Sequence, residues 1–265
     1  MEVDLFNWGT LFLLIAAGCA GFVDAAAGGG GLIQVPALFS AFPQAMPATL
    51  LGTNKLASIG GTLIAAKKYL KSVKLPYLIL IPCIIASFAG SFCGAFVVRS
   101  IASNQFRVGL PIILLALFIY TLLRPSIGLT HAPADLGVKK IFQAIAMGGV
   151  IGFYDGFFGP GTGSFLLMCF IRIFGFDFLH ASAASKLVYA TTNLAAIILF
   201  GAFGHIAVFL GLAMMLANMV GGYAGSHCAV RYGNTYIRVL FMFVVALLIV
   251  KTGFDALDAL DALSE

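Results

Sequence analysis

The sequence predicts an all-α integral membrane protein: about eight hydrophobic segments in two homologous four-segment repeats, the first and fifth broken by glycine. Three observations predict it. The 265 residues are 61% apolar and only 9% charged, whereas soluble domains carry roughly 25% charged residues. Several uncharged runs approach or exceed the ~20 residues that span a bilayer. Finally, Gly21-Phe22-Val23-Asp24, with its run Gly28–Gly31, returns 131 residues later as Gly152-Phe153-Tyr154-Asp155, followed by Gly159-Pro160-Gly161-Thr162-Gly163.

The hydrophobic segments run over 9–41, 46–66, 75–98, 106–123, 141–174, 178–202, 205–230 and 237–251. Met1-Glu2-Val3-Asp4 has no basic stretch, so the first segment is expected to stay as a signal anchor. That segment is too long for one crossing: a helix from Gly9 to Ala41 would extend about 50 Å, against a ~30 Å hydrocarbon core. The fifth segment is overlong in the same way. Glycine interrupts both, and Pro160 also interrupts the fifth. Each is expected to be two shorter helices joined by unwound backbone. In lipid such backbone must be buried in protein or line a wet cavity. The fourth and eighth segments are short and bracketed by Arg107 and Arg124, then Arg238 and Lys251, whose side chains can snorkel to the interfaces. The most hydrophilic stretch divides the chain into a first repeat over 1–124, a linker over 125–140 and a second repeat over 141–265, ending in an acidic tail.

The 131 offset needs no gap. It places Gly18 on Gly149, Gly28 on Gly159, Lys55 on Lys186, Gly90 on Gly221, Gly94 on Gly225 and Arg107 on Arg238. Helix composition can match Leu with Leu, but not Asp, Lys, Arg and several glycines in register. Repeated halves in a membrane protein indicate a transporter, with its site at the repeat interface on broken helices. Lys67, Lys68, Lys71 and Lys74 correspond to Ile198, Leu199, Ala202 and His205. A loop with four lysines belongs in the cytoplasm and one with none belongs opposite, which favours inverted over parallel repeats and makes the broken segments re-entrant. The third-to-fourth loops, basic in both halves, weigh the other way.

Four charges stand inside apolar segments. A carboxylate there costs roughly 2.5–3.5 kcal/mol, so Asp24 and Asp155 are expected to face the bundle interior. They mark an ion or substrate path, or they cap a half-helix or pair with lysine. Lys55 and Lys186 are surrounded by small polar groups, including Thr53, Asn54, Ser185, Thr192 and Asn193. Two lysines on paired helices can hold one anion between the halves; the alternative is an Asp–Lys pair inside each repeat. Gly29, Gly30 and Gly31, with Gly161, Thr162 and Gly163, begin the restarted helices, whose free N–H groups and positive dipole ends suit an anion. Close helix packing is the alternative there. The small-residue rows Ala86/Gly90/Gly94 and Ala217/Gly221/Gly225 are expected to let helices approach closely. His227 lacks a counterpart and is expected to be a packed donor. The five cysteines, without CxxC spacing, are expected to be small buried hydrophobes rather than disulfides or metal ligands.

The run 21–36, followed by Leu51-Gly52-Thr53-Asn54-Lys55-Leu56, resembles the sulfite exporter TauE/SafE family of membrane permeases. The second copy, 152–164 with Ala184-Ser185-Lys186-Leu187, is similar to that family's second half. The resemblance implies a bacterial or archaeal inner-membrane transporter, often an exporter, of sulfite, thiosulfate, sulfonates or other organic anions. It also implies that Lys55 and Lys186 are the family's paired lysines and Asp24 and Asp155 its paired acids.

The function expected is therefore secondary transport of a small sulfur-containing or organic anion. The lysines attract it, the restarted helices and the neutral polar groups bind it, and the aspartates position the lysines or carry a coupling proton. An anion channel is the alternative. The expected partners are the anion, the bilayer and a coupling proton or sodium ion. No cofactor, metal, nucleotide or nucleic acid is expected: there is no GxxxxGK[ST] motif, and a net charge of +5 on so few charges makes no basic face.

Overall fold

The computed structural model describes residues 8–99 and 137–232. Among them lie eight helices and no strand: α1 (Trp8–Ala27), α2 (Gly31–Ala41), α3 (Pro47–Leu70), α4 (Tyr77–Val98), α5 (Val138–Phe157), α6 (Thr162–Phe174), α7 (Phe178–Ala202) and α8 (Val208–Tyr232). Helices α1, α4, α7 and α8 are long and apolar enough to cross a membrane. The segments expected at 106–123 and 237–251, and the acidic tail, lie outside the described residues. So does most of the expected linker; Lys139 and Lys140, read with it, stand in the first turn of α5.

The ends follow local chemistry. Pro47 opens α3, where its missing N–H has no intrahelical partner to lose. The Asp177 carboxylate accepts from the amide of His180 at 2.8 Å and caps α7. Backbone bonds from Gly175 to Ile171 and from Phe176 to Phe170 close the last turn of α6.

Glycine sets the packing and the packing sets the direction of each helix. A Cβ on Gly221 would lie 1.9 Å from the Gly18 carbonyl oxygen, and one on Gly225 would lie 2.1 Å from that of Phe22. Helix α8 therefore runs parallel to α1 in backbone contact. Gly90 and Gly94 meet the Gly149 and Phe153 carbonyls in the same way, so α5 runs parallel to α4. The small-residue rows serve close approach, as expected. Helix α3 runs parallel to α8, with Gly61 against Asn218 and Lys68 beside His227. It runs antiparallel to α7: Gly52 meets Phe200, while Thr62, further along α3, shares Asp24 with Lys186, earlier in α7. Thus α1, α3 and α8 point one way, and α4, α5 and α7 the other.

These directions define two ends. Lys67, Lys68, Lys71, Lys74, Lys139, Lys140, Arg172 and Arg231 gather at one; Lys140 Nζ there donates to the Ile173 carbonyl at 2.5 Å. Arg99 stands at the other end, 3.8 Å from the centre of the Phe203 ring. Both broken stretches turn back: α2 ends beside the start of α3, and α6 ends at the lysine-rich end.

Large side chains such as Trp8, Ile85, Val150, Phe209 and Val220 are exposed. Such an apolar surface is anomalous in water and natural against hydrocarbon. The five cysteines are free thiols, but Cys19 and Cys93 are exposed on helix faces, not buried as expected. A thiol is apolar enough to sit on a surface that faces lipid. His227 is also exposed, with Nδ1 3.0 Å from Lys68 Nζ.

Candidate functional site

The two helix breaks touch. The amide of Ser164 donates to the Gly28 carbonyl at 3.1 Å. Gly28 and Gly159 both adopt positive φ, 81° and 95°, a region that costs an L-residue roughly 1–2 kcal/mol. Space reinforces the requirement. A Cβ on Gly28 would lie 2.3 Å from Gly163 backbone, and one on Gly159 would lie 2.9 Å from Lys55 Nζ.

Beside the breaks stand the charges. Among the described residues, Asp24, Asp155, Lys55 and Lys186 are the charged side chains that are buried. They form two pairs: Lys186 Nζ lies 2.8 Å from Asp24 Oδ2, and Lys55 Nζ lies 2.7 Å from Asp155 Oδ2. Each pair joins the N-terminal part of the chain to the C-terminal part. The in-repeat partners, Asp24 with Lys55 and Asp155 with Lys186, are not the ones that meet.

The pairs differ in quality. Lys186 donates to Asp24 Oδ2 and also to the Asp24 main-chain carbonyl, and Thr62 Oγ1 reaches the same Oδ2 at 3.5 Å. Lys55 and Asp155 meet through one carboxylate oxygen, without a main-chain contact. Among the described residues, Asp155 Oδ1, Asp24 Oδ1, Asn54 Oδ1 and both amide atoms of Asn193 are buried without a hydrogen-bond partner. Buried polar groups are normally satisfied, so this cluster has capacity for a polar ligand or water. Tyr189 links the pairs: Lys55 Nζ and Lys186 Nζ each lie 5.7 Å from its ring centroid, within cation–π range.

The remaining candidates divide. Thr53 Oγ1 donates to the Thr49 carbonyl and accepts from the Ala207 amide at 2.9 Å, tying α3 to the α7–α8 turn. Ser185 and Thr192 bond back to the carbonyls of Ala181 and Tyr189 in their own helix. Gly30 packs on Ala20 and Asp24, Gly31 on Pro160, and Gly163 on Gly28. The amides of Leu32 and Ile33 bond to Gly29 and Gly30, and those of Thr162 and Phe165 to Gly159 and Gly161. Several groups offered to an anion are therefore occupied by the protein itself.

Sequence reasoning missed Tyr189, Thr62, Gln34 and Asn218. Thr62 is findable, since the 131 offset places it on Asn193. Buried Gln34, whose Oε1 accepts from Asn218 Nδ2 at 3.2 Å, leaves Nε2 unpartnered among the described residues. Its signal was a lone amide in an apolar run. Tyr189 carried none.

An all-helical, multi-pass membrane protein with buried Asp–Lys pairs at paired helix breaks is the class that fold and site define. The chain belongs to the sulfite exporter TauE/SafE family, whose profile matches residues 13–252. It is 34% identical to the "Probable membrane transporter protein YfcA" of Escherichia coli (strain K12), over 92% of this chain and 89% of that one. It is 35% identical to a "Probable membrane transporter protein" of Haemophilus influenzae, over 89% and 91%. A Bacillus subtilis relative, "Probable membrane transporter protein YunE", is 26% identical over 90% and 95%. No solved structure matches the chain.

Proposed function

We propose that the protein is a secondary transporter that exports a small sulfur-containing or organic anion, such as sulfite, thiosulfate or a sulfonate, across a bacterial inner membrane. The observation that carries this is the pair of buried Asp–Lys bridges, Asp24–Lys186 and Asp155–Lys55, flanking Tyr189 where both helix breaks meet. Family membership and the relatives' names support the transport class. The opposed directions of α1 and α5, α3 and α7, and α4 and α8 support inverted repeats over 1–124 and 141–265, joined by 125–140.

In this reading the aspartates are the resident counter-ions of the lysines. A substrate anion competes for Lys55 or Lys186, with the open capacity at Asn54 and Asn193 supplying neutral hydrogen bonds. A buried carboxylate that loses its lysine is costly, and a coupling proton or sodium ion offsets that charge. Because both bridges cross between the halves, breaking them also frees one half to rock against the other. The purified protein should be screened by thermal shift against sulfite, thiosulfate, sulfonates and carboxylates, then assayed in proteoliposomes. Saturable flux that Lys55→Ala and Lys186→Ala each abolish supports the reading. Normal flux in either variant removes that lysine from the site, and single-channel currents replace the transporter with a channel.

A further inference from the structure

A groove of about 830 Å³ opens at the lysine-poor end, between the α2–α3 turn and the start of α8, within the ~300–1,000 Å³ of ligand clefts. Its walls include Ala45, Met46, Thr49, Gly204, Ile206 and Ala207, and among the described residues no acidic one lines it. Thr49 and Ala207 in its walls are joined through Thr53, which donates to the Thr49 carbonyl and accepts from the Ala207 amide. From Thr49, α3 leads within two turns to the buried Lys55.

The 131 offset carries Ala45, Ile206 and Ala207 onto Phe176, Leu75 and Pro76. Those three residues do lie together, with Phe170 and Ala184, at the lysine-rich end, and they leave no room for a water molecule. Phe42 and Phe209 also line the groove, so the difference is one of arrangement. Phe170, Phe174 and Phe176 pack as a mutual cluster with centroids 5.6 to 6.1 Å apart, and Phe176 fills the place where Ala45 leaves space. The two ends of the molecule are thus equivalent in position and opposite in access.

We propose that the groove is the mouth of the anion path on the extracytoplasmic side, and that the Phe170–Phe174–Phe176 cluster is the plug of the matching cytoplasmic mouth. The side follows from the eight lysines and arginines at the plugged end, since basic residues concentrate in the cytoplasm. The absence of a carboxylate from the groove walls suits an anion. The identity of the passenger rests on the transport reading above; the access pattern does not.

The test is thiol labelling in a cysteine-free background, using a membrane-impermeant, sulfonate-bearing thiosulfonate reagent on right-side-out and inside-out vesicles. Ala45→Cys is expected to react from outside at least tenfold faster than Ala184→Cys reacts from inside. Adding Phe176→Ala should raise labelling at Ala184→Cys at least tenfold. Deuterium exchange of the unmodified protein in nanodiscs serves as a second measurement, with amides at 44–46 and 204–207 expected to exchange faster than those at 73–75 and 174–177. Equal access at both ends, or faster reaction at the plugged end, overturns the proposal; labelling of Ala45→Cys from the cytoplasm overturns the assigned side. Labelling reads access without substrate. The expected pattern without anion flux removes the transport reading alone, and flux without the pattern removes the mouth and plug alone.

Discussion

Lys186 reaches Asp24 from 162 positions away and grips it twice, at carboxylate Oδ2 and at the main-chain carbonyl. The second bond fixes the end of α1 as well as the charge, because the Gly28 amide donates to the same carbonyl at 2.9 Å. Lys55 holds Asp155 through the carboxylate alone. The Asp24–Lys186 bridge is therefore anchored to the main chain as well as to the carboxylate, and the Asp155–Lys55 bridge to the carboxylate alone.

Crossed pairing predicts crossed coupling. Breaking a buried pair by removing one partner costs about 3–5 kcal/mol, whereas removing both costs much less. Double-mutant cycles on thermal unfolding in detergent should give strong coupling for Asp24 with Lys186 and for Asp155 with Lys55. Cycles for Asp24 with Lys55, which share only the neighbouring Tyr189, should give much weaker coupling. Coupling in the second set instead would mean that the bridges stay within each half.

Tyr189 stands between the lysines, with each ammonium 5.7 Å from its ring centroid. A cation–π contact that is desolvated is worth about 2 kcal/mol or more, or roughly 30-fold in a binding constant. Tyr189→Phe should bind anion within about twofold of the unmodified protein, since the ring is kept. Tyr189→Leu should shift affinity by tenfold or more because the lysines lose their shared neighbour. Equal affinities for Phe and Leu variants, measured by titration calorimetry, would assign Tyr189 to packing.

The break glycines should be intolerant where helix glycines are not. Gly159→Ala meets a positive φ and the Lys55 ammonium together. At roughly 1–2 kcal/mol for backbone strain alone, and about 2–4 °C per kcal/mol, its melting temperature should fall by several degrees. Gly149→Ala, inside α5 with open space around it, should match or exceed the unmodified protein. If both variants melt alike, the φ requirement at 159 is not what holds the break.

Thr53 should act through the α7–α8 turn. Thr53→Val keeps the shape and removes the acceptor for the Ala207 amide. An unmade hydrogen bond at a part-buried donor costs about 1–3 kcal/mol. Faster deuterium exchange at 204–207, with thermal stability reduced by that order, is the expected result, while Thr53→Ser should behave as the unmodified protein. Unchanged exchange in Thr53→Val would mean that the turn is held by its packing on Gly52.

Much of the fold was legible because hydrophobicity and glycine are local signals. The segment expected at 178–202 is helix α7 to the residue, and the overlong segments each hold two helices with glycine between them. Asp24, Asp155, Lys55 and Lys186 stood out because charge in an apolar run has so few reasons to exist. The small polar candidates were harder to sort. Thr53, Ser185 and Thr192 look alike in sequence, yet each spends its hydroxyl on a carbonyl, while Asn54 and Asn193 keep unpartnered atoms. Nothing local separates a hydroxyl that bonds back to its helix from an amide aimed inward.

By itself the sequence determined that this chain lives in a membrane and that two acids and two lysines are buried inside it. These follow from composition and spacing, which act over a few turns. Tertiary structure alone decided which acid meets which lysine and that Tyr189 lies between them. The physical reason is distance along the chain. Partners more than a hundred residues apart are brought together by helix direction and backbone packing at glycine, and a sequence with the same four charges is equally consistent with either pairing.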